Sequence, residues 1–166
     1  MNSFHLRVLS LLVASIWSVS GFAVEMGSAA PNCSLKSFAA DKKLNLAEFG
    51  NKLLLVDFWT SWCGPCMKSF PYYNQLQQQL GDKDFQIIAV NLDEELTDAQ
   101  AFIQRFPANF IVAIDPEKQC AQQFSVAAMP SSFLIDRKGR VRHIQLGFRA
   151  DETAEIESNI KQLLSE

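Results

Sequence analysis

The chain has 166 residues, 48% of them apolar and 20% charged, with a formal net charge of −3. That length suits one domain whose core can hold without covalent staples. Basic residues are scattered rather than massed in a stripe, which argues against a nucleic-acid partner, and no low-complexity tract or solenoid-length repeat is present.

The first stretch, "MNSFHLRVLSLLVASIWSVSGFA" (residues 1–23), reads as a targeting segment. Arg7 gives a weakly positive start, Val8 to Val19 is an apolar run broken by serines, and Gly21 and Ala23 put small residues at the −3 and −1 positions of a cleavage site. The run is shorter than the ~20 residues that cross a bilayer comfortably. A cleaved signal peptide and a retained signal anchor both fit. No cysteine follows directly, so a lipoprotein anchor is not supported. Residues 24–30 are a short small-residue leader, and 31–166 form the domain.

Export would place the chain where cysteines pair stably. There are four: Cys33, Cys63, Cys66 and Cys120. Three pairings are possible and sequence alone does not choose among them. Proximity favours Cys63 with Cys66, which leaves Cys33 and Cys120.

Strand-like and helix-like periods then alternate. "LLLVDFW" (53–59) is a continuous apolar run, the mark of a strand buried on both faces, and "IIAVNL" (87–92) and "FIVAID" (110–115) read the same way. Between them, Thr97 with Gln100 predicts a capping box, and Asp115-Pro116 predicts a cap followed by a first-turn proline. The last third changes character. "SSFLID" (131–136), "RKG" and "VRHIQLG" (141–147) predict an antiparallel hairpin with Gly139 at positive φ. Asp151 is expected to cap a closing helix carrying Ile156, Ile160, Leu163 and Leu164 on one face. Alternation followed by a hairpin gives an α/β fold, a central mixed β-sheet with helices on both faces.

The stretch "VDFWTSWCGPCMKSFP" (56–71) carries the chemistry. Its Cys-Gly-Pro-Cys leaves a buried strand and opens a helix that runs to about Leu80. Pro65 suits the first turn, and Pro71 predicts a kink. Cys63 then sits where free N–H groups and the helix dipole favour a thiolate, and Cys66 can attack a mixed disulfide formed at Cys63. Trp59 and Trp62 supply an apolar surround. A structural disulfide over so short a loop would constrain little. A zinc site needs two more ligands, and Cys33, Cys120 and His143 are isolated in sequence. Catalysis is the better reading.

"WCGPC" after "LVDFW", with "MP" far downstream, resembles the thioredoxin superfamily. The leader, the extra helix and strand (97–115) and "PSSFLIDRKGRV" are similar to the TlpA/ResA group of exported thioredoxin-like proteins, relatives of the AhpC/TSA peroxiredoxins. The resemblance spans about Ala30 to Leu164. It implies a thioredoxin-like fold with a helix–strand insertion, and a periplasmic thiol-disulfide oxidoreductase that needs no cofactor or metal. Cys63, Cys66 and Asp57 would be catalytic, Asp57 relaying the proton of Cys66 from a buried position that raises its pKa. Trp62, Gly64, Pro65, Met129, Pro130 and Gly147 would line the docking groove, with Pro130 cis and Met129 pairing with substrate backbone. Thioredoxin pairs this acid with a lysine on the next strand, where this chain has Ala89. The Gly-Pro between the cysteines is thioredoxin's own, a protein poised near about −270 mV against about −120 mV for the periplasmic oxidant. The resemblance therefore implies a reductant of disulfide-bonded proteins, recharged by a membrane-bound thiol reductase. Cytochrome-maturation members resemble "KEFP" after the motif, whereas this chain has Ser69 at the acid position, which weakens an apocytochrome c assignment. Lys68 reads as a solvated helix residue.

Cys33 and Cys120 fit either ordinary buried thiols or a clamp on the N-terminal segment, and a redox relay is a third reading. His143 reads as a structural histidine of the second hairpin strand. Its functional alternative is a copper ligand with Cys63 and Cys66 in a metallochaperone, although such proteins use CxxxC. A thiol peroxidase of the related peroxiredoxin class is a weaker reading still.

Overall fold

The computed structural model describes residues 24–40 and 42–166, so the expected signal segment, residues 1–23, lies outside the described residues. The strands are β1 (Ser34–Ser37), β2 (Lys43–Asn45), β3 (Leu53–Trp59), β4 (Phe85–Asn91), β5 (Ile111–Ile114), β6 (Ser131–Ile135) and β7 (Val141–Leu146). The helices are α1 (Cys66–Leu80), α2 (Leu96–Arg105), α3 (Gln119–Gln123) and α4 (Thr153–Leu164). The strands make one mixed sheet in the order β2-β1-β5-β4-β3-β6-β7. β3, β4 and β5 run parallel, and β6, β7, β1 and β2 are joined by antiparallel pairings.

β3 is central because all seven of its residues are buried. Strand alternation sends Leu53, Leu55 and Trp59 to one face and Leu54, Val56 and Phe58 to the other. The first face packs against α1, α2 and α4, where Trp59, Phe70 and Phe102 form a triangle with ring centroids 4.6 to 5.0 Å apart. Each such ring contributes roughly 1.5–3 kcal/mol by burial. The second face packs against α3 and the segment before β1, with Phe58, Phe124 and Phe133 in mutual contact. The mixed α/β sheet and the α2–β5 insertion follow the sequence expectation.

Three helix starts differ from it. α2 begins at Leu96 from an extended Glu95 with no side-chain cap, so Thr97 and Gln100 lie inside the helix, and Asp98 supplies the favourable first-turn charge. α3 begins after Lys118, whose φ is +55°, and Asp115 reaches into it from six residues upstream, accepting the Ala121 N–H at 2.9 Å. Before α4, Asp151 is taken by Arg149 at 2.8 Å, and residues 150–152 form a 3-10 turn instead. The hairpin turn is closed by Asp136, which accepts the N–H groups of Lys138 and Arg140 at 2.9 Å each, with Gly139 at φ +72°. Gly27 and Ala30, in the short leader, donate to the Val141 and Gly139 carbonyls of this hairpin.

Candidate active site

The loop from Thr60 to Pro65 joins the end of β3 to the start of α1. It carries Cys63 to the N-terminus of the helix, where its N–H donates to the Thr60 carbonyl at 3.2 Å. Cys63 and Cys66 are joined by a disulfide, with Cα atoms 5.3 Å apart. The Cys66 N–H, shared with the Cys63 carbonyl at 3.2 Å, also points at the Cys63 Sγ 3.2 Å away, so a helix N-terminal N–H already faces the atom that would carry charge as a thiolate. Both sulfurs belong to residues at most 3% exposed, in the core layer of the α1 face. Gly64 and Pro65 are exposed, as is Lys68. Trp59 is fully buried, whereas Trp62 is 72% exposed and stands out beside the pair.

Asp57 lies on the same face, wholly buried, directly across the sheet from Ser132 and Ala89. Its Oδ1 accepts the Ser132 hydroxyl at 2.6 Å and the Tyr73 hydroxyl at 3.1 Å, and those two oxygens are 3.0 Å apart. Burial pushes its pKa up to about 7, and the hydroxyls of Ser132 and Tyr73 partly oppose that rise. Tyr73 is in turn held well above the ordinary phenol value, first by burial and then by the neighbouring carboxylate. Ala89 offers no cation, and two hydroxyls occupy the carboxylate instead.

The Met129–Pro130 peptide is cis, with Pro130 buried and Met129 half-buried against the cysteine layer. Gly147, at φ +81°, donates its N–H to the Pro130 carbonyl at 2.7 Å, a position that a Cβ would strain. Met129 and Trp62 line one open groove of about 390 Å³ together with Thr60, Asp93, Glu95 and Asp98. Asp93 also fixes the loop, accepting the Ser61 N–H at 2.9 and 3.1 Å and the Ser61 hydroxyl at 3.1 Å.

Three of these residues had escaped the sequence reading. Tyr73 carried a signal, since it falls two helical turns after Cys66 and therefore on its face. Ser132 and Asp93 had none beyond lying near the ends of strands.

The other candidates lie elsewhere. A second disulfide joins Cys33 to Cys120, across a sequence separation of 87, in the core layer of the opposite sheet face. Ser69 is buried and donates to the Cys66 carbonyl at 3.2 Å. His143 lines a small cavity beside Tyr73 and Ser132. Among the described residues no three His, Cys, Asp or Glu side chains gather as a metal cage, so the Cys63, Cys66 and His143 set of the copper reading is not assembled.

A Cys-x-x-Cys disulfide at a helix N-terminus, on a seven-stranded mixed sheet, defines a thioredoxin-like redox enzyme, a thiol-disulfide oxidoreductase. The chain belongs to the Redoxin family, whose model matches residues 25–164. It is 33% identical to the thiol-disulfide oxidoreductase ResA of Bacillus cereus (strain ATCC 10987 / NRS 248), over 84% of this chain and 86% of that protein. It is 30% identical to the protein of the same name from Bacillus thuringiensis (strain Al Hakam), over 98% of this chain and 97% of the other. Among solved structures, a thiol:disulfide interchange protein DsbE from Chlorobium tepidum matches with a TM-score of 0.82 and 39% identity, covering 86% of this chain and 99% of that one.

Proposed function

We propose that the protein is an exported, periplasmic reductant of protein disulfides, working through the Cys63–Cys66 dithiol. The Cys63 thiolate attacks one sulfur of a substrate disulfide, forming a mixed disulfide and releasing the first substrate thiolate. Asp57 takes the proton of the Cys66 thiol. The Cys66 thiolate then attacks the Cys63 sulfur, which closes the Cys63–Cys66 disulfide and releases the second substrate thiolate. Two electrons pass from the enzyme to its substrate, and a membrane-bound thiol reductase restores the dithiol.

The observation that carries this reading is the Cys66 N–H aimed at the Cys63 Sγ, above a buried acid on the same sheet face. Such a donor favours Cys63 as the nucleophile. Trp62, Gly64, Pro65, Met129, Pro130 and Gly147 would form the docking surface, with Met129 offering its backbone to an extended substrate. Export is supported by the character of residues 1–23 and by a second, buried disulfide, a feature of oxidising compartments. No helix among the described residues is long and apolar enough to cross a membrane.

The deciding experiment is the equilibrium redox potential of the Cys63–Cys66 pair in glutathione or dithiothreitol buffers, with Cys33 and Cys120 intact. A value at or below about −250 mV is expected of a reductant, and one above about −180 mV would make it an oxidant or isomerase.

A further inference from the structure

The two oxygens of Asp57 are treated differently by the fold. Oδ1 accepts the Ser132 hydroxyl at 2.6 Å and the Tyr73 hydroxyl at 3.1 Å, whereas Oδ2 is buried and has no partner among the described residues. The two donors come from different elements. Ser132 is set by the β3–β6 register, directly across from Asp57, and Tyr73 belongs to α1. Tyr73 follows Cys66 by two turns on the same helix face, so Asp57 projects into the layer that also holds the cysteines. Among the described residues no charged side chain pairs with this carboxyl, and β4 places Ala89 across from it. The titratable groups on the elements packed around it are Tyr73 with its neighbour Tyr72, the two cysteines, and His143 of β7, which shares a small cavity with Tyr73 and Ser132.

We infer that Ser132 and Tyr73 are positioning residues for the proton transfer: by donating to Oδ1 they leave Oδ2 as the oxygen that takes the Cys66 proton. This inference rests on the oxidoreductase cycle proposed above and assigns its base to a single atom. A hydroxyl has one proton to give, and donating it to a carboxylate oxygen lowers the basicity of that oxygen. Oδ1 receives two such donors and Oδ2 none, so the open lone pairs of the carboxylate are on Oδ2. The same bonds stabilise the charge that Asp57 must carry before it acts as a base, in a layer where an unpaired carboxylate would be costly. The transfer balances. The Cys66 S–H bond breaks as Oδ2–H forms, and the electron pair left on sulfur attacks Cys63, expelling the substrate thiolate. When the reductase thiolate attacks Cys63 and reopens the disulfide, the leaving Cys66 thiolate takes that proton back from Oδ2. The proton therefore cycles between two buried groups and needs no path to solvent.

The test reads the infrared C=O band of protonated Asp57 in the oxidised full-length protein at about pH 6, below the value at which it ionises. Asp57→Asn identifies the band by removing it. A proton on Oδ2 makes Oδ1 the carbonyl oxygen, so the wild-type band should lie at the low frequency of a doubly hydrogen-bonded C=O. It should rise in Tyr73→Phe and in Ser132→Ala. A wild-type band at the frequency of an unbonded carbonyl would put the proton on Oδ1 and overturn the inference, and that outcome needs neither hydroxyl variant to fold. The second readout is pH. Each variant removes a donor to the ionised form, so the pH at which Asp57 ionises should rise by about one unit or more. The rise of turnover with pH should move upward with it, and Ser132→Thr, which keeps a hydroxyl, should restore the wild-type midpoint. Loss of stability alone does not move that midpoint. A midpoint unmoved in both variants would sink the inference. If the wild-type protein instead fails to reduce protein disulfides, the proposed function falls while the band still reports which oxygen holds the proton, so the two failures are distinguishable.

Discussion

Ser132 stands directly opposite Asp57 in the antiparallel β3–β6 pair and donates its hydroxyl to Oδ1 over 2.6 Å. The carboxyl is thereby fixed by register rather than by a counter-ion. A carboxyl held this way stays protonated to about pH 7, whereas in the unfolded chain it ionises near its ordinary value of 3.8.

The sign of the resulting pH dependence follows from proton counting. Between about pH 4 and 7 the folded state holds a proton that the unfolded state has lost, so this contribution to stability is complete below about 4 and is lost as pH rises to 7. The loss is on the order of a few kcal/mol, at about 1.4 kcal/mol per pH unit. Asp57→Asn should lack this slope and exceed the wild type in stability at alkaline pH, as measured by urea midpoints across the pH range. A variant that keeps the wild-type slope would show that another group causes it.

Replacing the inner cysteine separates attack from resolution. Cys66→Ser should accumulate a mixed disulfide with a disulfide-bonded protein substrate, seen by mass spectrometry, while turnover falls by about two orders of magnitude or more. Cys63→Ser should form no such adduct. An adduct on Cys66 instead would reverse the assignment of nucleophile.

The Asp93 carboxylate holds the loop that presents Cys63 through three bonds from Ser61 and a fourth from the Asn91 amide at 2.8 Å. Asp93→Ala leaves the Ser61 N–H without its acceptor and should cost about 1.5–3 kcal/mol, the range for hydrogen bonds to a charged group. It should also shift the potential of the cysteine pair, because the loop no longer holds Cys63 against α1. Unfolding curves and redox titrations check the two effects separately.

Removing the Cys33–Cys120 bridge in the double serine variant should lower stability by roughly 4.6 kcal/mol on the chain-entropy model, given the sequence separation of 87. The potential of Cys63–Cys66 should not move, since the bridge lies in the other core layer. A shifted potential would reveal coupling through β3.

The parts of this fold that depend on chain-local chemistry were legible in the sequence. β3 ends at the residues where its apolar run ends, and the hairpin turn needs the positive φ that Gly139 adopts. The order of strand, Cys-Gly-Pro-Cys and helix is equally local. Helix starts were less legible, because a cap competes with tertiary partners. Arg149 captured Asp151, and Asp115 was drawn six residues forward onto Ala121. The setting of Asp57 was the least legible. It is assembled from β3, β6 and α1, with the acid and its nearest hydroxyl donor 75 positions apart in sequence. Periodicity along one segment does not report such a meeting.

The two disulfides lie in separate core layers, with the side chains of β3 pointing alternately toward each. Thiol–disulfide exchange needs sulfur-to-sulfur contact, and a closed sheet prevents it. The molecule therefore contains four cysteine sulfurs in two pairs that cannot exchange directly with one another. Electrons gained by one pair cannot leak into the other, and the Cys33–Cys120 bond that ties down the segment before β1 stays apart from any chemistry at Cys63–Cys66.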